Sequence, residues 1–221
     1  MSRQFLIIGL GQFGSSLARA LAHHGNEVIV ADSDAGRVAE LAPHVADAVV
    51  VDGTDEVVLA RLGPAQRDVC VCAIGGDSRE SSIITTALLR QLGARRVLAR
   101  AADTVHARIL ALVGAHEVVN PEEDFGERLA IRLAWRHVIN VLPLGGDLVL
   151  TEIVAPESFW GRTLAELELR RRFGVTVAAV RREGPAGVVV GIPDPHQPFL
   201  RGDALMLVSA EGAARLLTEG T

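Results

Sequence analysis

The chain has 221 residues, of which 49% are hydrophobic, and a formal net charge of −5. That length suits one large domain or two small ones with a sizeable core. Every basic side chain is arginine and there is no tyrosine, which removes Schiff-base chemistry, pyridoxal-phosphate anchoring, the phosphate-loop lysine and a phenolic general acid.

Residues 5–8 are a continuous apolar run ahead of glycines, the pattern of a strand buried on both faces. The spacing predicts a helix over 15–24, stopped by Gly25 and Asn26. Apolar strands are predicted over 28–31 and 48–51, each followed by an aspartate, Asp32 and Asp52. Helices are predicted over 37–42 and 57–62, the second stopped by Gly63-Pro64. The strand over 69–73 carries Cys70 and Cys72. They are too close for a usual disulfide framework and lack partners for zinc, so they read as inert buried thiols in a reducing cytoplasm. A helix over 81–92, a strand over 96–99, a helix over 104–113 and a strand over 117–119 follow. Six strands separated by helices specify an α/β fold with a parallel, doubly wound, Rossmann-like sheet. Its ligand belongs outside the strand C-termini, at the switch point after the first and fourth strands.

The pattern then changes. One long helix is predicted over 122–138, acidic at its start and with Arg132, Arg136 and His137 toward its end, an order that suits the helix dipole. After Leu144-Gly145-Gly146 the chain becomes strand-rich, with strands over 148–154, 176–180, 187–191 and 204–209. Helices are predicted over 164–172 and 212–217. The resulting organisation is a nucleotide-binding domain over 1–120, a helical connector over 121–140 and a small α+β domain over 141–221. No signal peptide is expected, and no apolar run reaches the length of a membrane span. The dense basic runs are Arg170 to Arg172 and Arg181-Arg182, too little for a nucleic-acid face.

Gly9-Leu10-Gly11-Gln12-Phe13-Gly14 fits G-x-G-x-x-G, between a strand and a helix, with Asp32 at the end of the next strand. In this pattern Gly9 permits the tight turn, Gly11 lets phosphate approach the backbone, and Gly14 lets helix and sheet pack closely. The helix N-terminus offers free N–H groups to phosphate, and Asp32 can accept ribose hydroxyls. Asp52-Gly53-Thr54 ends the neighbouring strand. Ala73-Ile74-Gly75 lies across the switch point, and Arg100 ends the fifth strand on the same rim, where it reads as a charge partner for polyphosphate.

These motifs, with Glu27-Val28, Asp55-Glu56 and Gly114-Ala115 leading to Asn120-Pro121-Glu122-Glu123-Asp124, resemble the RCK (regulator of potassium conductance) family. The nearest likeness is to the cytosolic gating subunits of bacterial Trk/Ktr potassium uptake systems. Gly161-Arg162-Thr163-Leu164, Arg170 to Phe173-Gly174-Val175 and Arg201-Gly202-Asp203 extend the likeness to the C-terminal domain. The resemblance implies a cytoplasmic protein, peripheral at the inner face of the cell membrane. It implies dimers assembling into an octameric ring under a membrane potassium channel or transporter subunit of the KtrB/TrkH type. ATP and ADP favour different ring shapes and so gate the pore.

Carried onto this chain, Gly9, Gly11, Gln12, Phe13 and Gly14 form the phosphate turn and Asp32 holds the ribose, with Asp34 and Arg37 assisting. Asp52, Gly53 and Thr54 contact the base or ribose side, with Ala73, Ile74 and Gly75 beneath and Arg100 supplying charge. Glu122 matches a carboxylate that binds a cation (Na+, Mg2+ or Ca2+) at the dimer interface. Arg170, Thr176 and Val177 match positions that bind cyclic di-AMP, although Thr176 stands where an amide is usual. Gln12 departs from the family's arginine, which faces the γ-phosphate. A neutral amide loses that charge-assisted bond, so weaker discrimination of ATP from ADP, or binding of NAD or AMP, is expected. The alternative function is an NAD-dependent oxidoreductase, which the fingerprint and Asp32 permit. The second domain offers it no lysine, no tyrosine and no histidine paired with a nearby carboxylate motif.

Overall fold

Leu6, Ile7 and Ile8 are almost completely buried, and so are Cys70, Val71 and Cys72 on the strand beside them. Together they form the centre of a six-stranded sheet seen in a computed structural model that describes residues 2–135, 137–184, 187–210, 212–214 and 216–217. The chain divides into two units, parting between Glu122 and Glu123.

In the first unit β1 (Gln4–Ile8), β2 (Glu27–Asp32), β3 (Asp47–Val50), β4 (Val69–Cys72), β5 (Val97–Arg100) and β6 (Glu117–Val119) lie in the order β3-β2-β1-β4-β5-β6. All neighbours are parallel. Parallel neighbours need crossovers, and these are supplied by α1 (Gln12–His23), α2 (Ala35–Leu41), α3 (Glu56–Arg61), α4 (Arg79–Gln91) and α5 (Thr104–Leu112). Alternate residues of β1 feed two cores. Leu6 and Ile8 pack with Cys70, Cys72, Leu89 and Leu110, while Ile7 packs with Val28, Val30, Val71 and Ala18. A sheet covered on both faces requires this double apolar pattern. Burial pushes the Cys70 thiol up to about 12 and raises the Cys72 thiol as well. Both are free and protonated at neutral pH, as inert core thiols should be.

Aspartates set where several helices begin. The Asp34 carboxylate accepts from the N–H groups of Gly36 and Arg37, Asp55 caps α3 in the same way, and Asp103 caps α5. These caps start α2 and α3 one or two residues before the apolar periodicity begins.

The helix α6 (Pro121–Ala134) starts at the end of the first unit and runs into the second, which carries an antiparallel sheet. Its strands are β7 (Val138–Gly145), β8 (Leu148–Val154), β9 (Thr176–Gly184), β10 (Gly187–Gly191) and β11 (Ala204–Ala210), in the order β10-β9-β11-β8-β7. The helix predicted over 122–138 therefore ends four residues early, and 138–145 is a strand. His137 takes a left-handed conformation (φ 70°), which ends helical propagation. Val138 and Val141 are buried in the second core, and Gly145-Gly146 turn the chain into β8 with positive φ at both. Residues 138–140 of the expected connector thus belong to the sheet. The helix predicted over 164–172 is broken at Glu168 (φ 47°) into α7 (Leu164–Leu167) and α8 (Leu169–Phe173). Arg136, and Arg215 within the helix predicted over 212–217, lie outside the described residues.

Arg181 and Arg182 do not form a free basic patch. Arg181 pairs with Glu152 at 2.7 Å. Arg182 grips Asp203 with Nε to Oδ1 at 2.7 Å and Nη2 to Oδ2 at 2.6 Å. Asp203 is 1% exposed and also accepts the Leu200 N–H.

Candidate functional site

The strand order reverses between β1 and β4, and a cavity of about 420 Å3 opens at their C-terminal ends. Eleven of the residues singled out in the sequence line it: Gly9 and Gly11; Asp32 and Arg37; Asp52, Gly53 and Thr54; Ala73, Ile74 and Gly75; and Arg100. They come from five different strand ends, which a parallel sheet brings to one edge.

The three fingerprint glycines have different reasons to be glycine. Gly9 has φ 95°, and a Cβ there would lie 2.8 Å from the Ile74 nitrogen. A Cβ on Gly14 would lie 1.9 Å from the Gly9 carbonyl oxygen. Gly11 is different, because its Cβ would meet no protein atom within 4 Å. Packing alone would tolerate a side chain there. Gly11 is also the N-cap of α1 and has no side-chain cap. The helix thus turns bare N–H groups and its positive dipole end toward an open space.

Asp32 organises the turn. It is 7% exposed, its Oδ2 accepts the Leu10 N–H at 2.5 Å, and its Oδ1 accepts the Asp34 N–H at 2.8 Å. Each oxygen retains a second lone pair for another donor. Arg37 lies beside it, with Nη1 3.7 Å from Asp32 Oδ2 and Nε 3.6 Å from Asp34 Oδ2. In Asp32→Asn one amide hydrogen must face a backbone N–H. Chemical denaturation is expected to show a loss of about 1–3 kcal/mol; unchanged stability would refute this role.

Across the cavity Asp52 Oδ1 accepts both the N–H and the hydroxyl of Thr54, at 2.9 and 2.7 Å. These two bonds, the backbone one first, hold the Asp52 carboxyl below its ordinary range, so it is ionised at neutral pH. The loop is fixed from behind by Thr85 on α4, whose buried hydroxyl donates to the Gly53 carbonyl at 3.0 Å. Arg100 is mostly buried. It is ion-paired with Glu122, its guanidinium lies 6.0 Å from the centre of the Phe13 ring, and its buried Nε has no hydrogen-bond partner. The open space over Gly11 at the uncapped start of α1 fits an anionic group such as phosphate.

Four of the singled-out residues do not line the cavity. Gly14 supports the turn, Phe13 packs beneath it, Asp34 caps α2, and Gln12 is exposed at the start of α1. Ser33, Val51, Gly76, Ser78 and Ser81 do line it and were not singled out. Ser78 and Ser81 belong to the start of α4, which follows β4 just as α1 follows β1. That symmetry across the switch point was the available signal. Glu122 is exposed, and its carboxylate is held by Arg100. Among the described residues no cluster of three or more His, Cys, Asp or Glu side chains could hold a metal ion.

In the second unit Arg170, Thr176 and Val177 come together, lining a cavity of about 330 Å3 with Leu164, Leu169 and Val175. No helix among the described residues is long and apolar enough to cross a membrane.

Comparison with known proteins agrees with this architecture. Residues 5–121 match the TrkA-N domain and residues 144–219 the TrkA-C domain. The chain is 37% identical to the Ktr system potassium uptake protein C of Bacillus subtilis (strain 168) over 182 residues, 82% of each chain. It is 34% identical to the Ktr system potassium uptake protein A of Vibrio alginolyticus over 209 residues, 95% of this chain and 93% of the relative. Among solved structures, the GsuK channel bound to NAD superposes with a TM-score of 0.67 at 22% identity. That match covers 98% of this chain but 39% of the larger one, and shows a shared fold. A family model that matches residues 5–121, a second that matches residues 144–219, and relatives alike over most of their length place this chain in the TrkA-domain family of Ktr and Trk potassium uptake proteins.

Proposed function

We propose that this chain is the cytoplasmic regulatory subunit of a potassium uptake system, without enzymatic activity of its own. It binds an adenine nucleotide at the end of β1 and β4, and acts on a membrane channel or transporter subunit at the inner face of the membrane. The observation that carries this reading is the convergence of the Gly9–Gly14 turn, Asp32, Asp52-Thr54 and Arg100 around one cavity, in a chain similar to Ktr proteins along most of its length. In this reading Gly11 leaves room for phosphate, the bare N-terminus of α1 and Arg100 attract it, Asp32 receives ribose hydroxyls, and Ile74 and Gly75 form the floor. The nucleotide is ATP or ADP, with NAD or AMP as alternatives; the likeness to a channel bound to NAD supports keeping NAD.

Dimers assemble into an octameric ring, and each nucleotide shifts the ring only by its difference in affinity for the two shapes. A cation, Na+, Mg2+ or Ca2+, reaches Glu122 when a second chain completes its ligand set. Cyclic di-AMP occupies the cavity at Arg170, Thr176 and Val177, also with a second copy. Native mass and nucleotide content of the purified protein test the reading. An assembly near eight chain masses carrying adenine nucleotide supports it; a monomer that turns over a nicotinamide cofactor overturns it.

The neutral amide of Gln12 makes a specific prediction. Calorimetric titration of the wild-type protein is expected to show ATP bound less than about tenfold more tightly than ADP. Gln12→Arg is expected to widen that ratio to about tenfold or more, through a charge-assisted bond to the terminal phosphate. A ratio unmoved by the substitution counts against a γ-phosphate position beside Gln12.

A further inference from the structure

The hydroxyl side chains Ser82, Thr85 and Thr86 of α4 are completely buried. A buried hydroxyl must find a partner. Thr86 donates back to the Ser82 carbonyl of its own helix at 2.8 Å, and the Ser82 hydroxyl lies 3.7 Å from the Cys72 sulfur. Thr85 instead reaches off the helix, to the Gly53 carbonyl at the rim of the cavity. Gly53 sits in a notch. A Cβ on it would lie 2.9 Å from Ile8 Cγ2 and 3.0 Å from Thr85 Oγ1, so the backbone there rests directly on β1 and α4. The residues around it move with it. Thr54 donates its N–H and its hydroxyl to Asp52 Oδ1, and the Asp55 N–H donates to the Asp52 carbonyl at 3.1 Å. The turn 52–55 is thus one stiff piece, and Thr85 ties it to α4. Ser81, one helical turn before Thr85 on the same face of α4, lines the cavity itself.

We propose that Thr85 is a positioning residue for base selectivity: by holding the Gly53 carbonyl it aims the Asp52 carboxylate at the exocyclic amine of an adenine base. Both bonds from Thr54 go to Asp52 Oδ1, which leaves Oδ2 for a donor of the ligand. An ionised carboxylate only accepts. The adenine amine donates to it. Hypoxanthine offers a carbonyl oxygen at that place, and a donor only at the neighbouring ring nitrogen. A carboxylate held in place cannot follow that donor, whereas one on a loosened turn can. A shift of about 1 Å is enough to take an acceptor out of hydrogen-bond range, so the preference depends on what fixes the turn. Thr85 touches no part of the ligand and acts through Gly53. This inference rests on the adenine-nucleotide reading of the cavity and adds to it the residue that sets its base selectivity.

Thr85→Val removes the hydroxyl and keeps the shape, while Thr85→Ser keeps the hydroxyl. The full-length wild-type and variant proteins are titrated calorimetrically with ADP and with inosine diphosphate, which have the same ribose and phosphates. The wild type is expected to bind ADP about tenfold more tightly than inosine diphosphate. Thr85→Val is expected to bring that ratio to about threefold or less, and Thr85→Ser to keep it within about twofold of wild type. Where valine prevents folding, Thr85→Ala, which removes the same hydroxyl with less bulk, is read in its place. A role in packing alone weakens both ligands together, and a ratio left in place by the loss of the hydroxyl overturns the proposal. So does a serine variant that loses the ratio. A wild-type ratio near one overturns it as well, since Asp52 then does not face the base amine. A wild type that binds neither nucleotide overturns the nucleotide reading itself, an outcome distinct from binding with an unmoved ratio.

Discussion

A single methyl group at Gly14 is expected to destabilise the first unit by roughly 3 kcal/mol or more, or to prevent its folding. The Cβ of Gly14→Ala would lie 1.9 Å from the Gly9 carbonyl oxygen. That oxygen belongs to backbone held between β1 and α1, with the Gly9 N–H bonded to the Ala31 carbonyl at 2.8 Å, so it cannot rotate away as a side chain could. Relief requires α1 to move off the sheet, which breaks the packing of Ala18 and Leu17 with Ile7 and Val28. The informative control is Gly11→Ala. Its Cβ meets nothing within 4 Å, so its stability is expected to remain within about 1 kcal/mol of wild type. Nucleotide affinity is expected to fall about tenfold or more, because the methyl group occupies the space through which phosphate reaches the helix N-terminus. Urea denaturation of both variants, with nucleotide titration of Gly11→Ala, checks the pair. Equal destabilisation by the two substitutions would show that the turn is a packing device rather than a phosphate cradle.

The second large effect lies in the other unit. Asp203→Ala is expected to cost about 3–5 kcal/mol, since it leaves the Arg182 guanidinium and the Leu200 N–H without the acceptor they share. Asp203→Asn keeps the shape but loses the charge, and should recover only part of this. The same pair gives a pH dependence. Burial pushes the Asp203 carboxyl up, but the Arg182 hydrogen bonds, the Leu200 N–H and the Arg182 charge outweigh it, and its folded-state value is held below the ordinary 3.8. A carboxyl depressed on folding adds stability that is fully present above the unfolded value and is lost as pH falls through the folded one. The wild-type midpoint in urea is therefore expected to fall as pH drops below about 4, with that part of the slope missing in Asp203→Ala. A flat wild-type profile from pH 5 to 3 would refute the account.

Much of the first unit was legible because its signals are local. Buried parallel strands read as apolar runs, and the residues after them stand where a doubly wound sheet puts ligands. Gly9, Gly11, Asp32, Asp52 and Arg100 could thus be picked out one by one. The serines were harder, since a serine at the start of a helix reads first as a cap, and Ser78 in fact makes no side-chain cap. The strand β7 was hidden for a different reason. Residues 122–138 keep helical spacing and charge order, and only the left-handed turn at His137 and the burial of Val138 and Val141 against the second core override them.

By itself the sequence determined the fold class, the site's position at a switch point, the exclusion of lysine and tyrosine chemistry, and the anomaly of Gln12. All of these depend on residue type and short-range order. The tertiary structure decided which charges meet. Arg100 and Glu122 are 22 residues apart, and Arg182 and Asp203 are 21 apart. Each pair is made only by the fold, Arg182–Asp203 beside the β9–β11 pairing and Arg100–Glu122 where the chain leaves β6 into α6. Coulomb energy depends on distance in space and on burial, and neither is written in residue order. Arg100, which reads as a free charge partner for phosphate in the sequence, is in the folded protein ion-paired with Glu122.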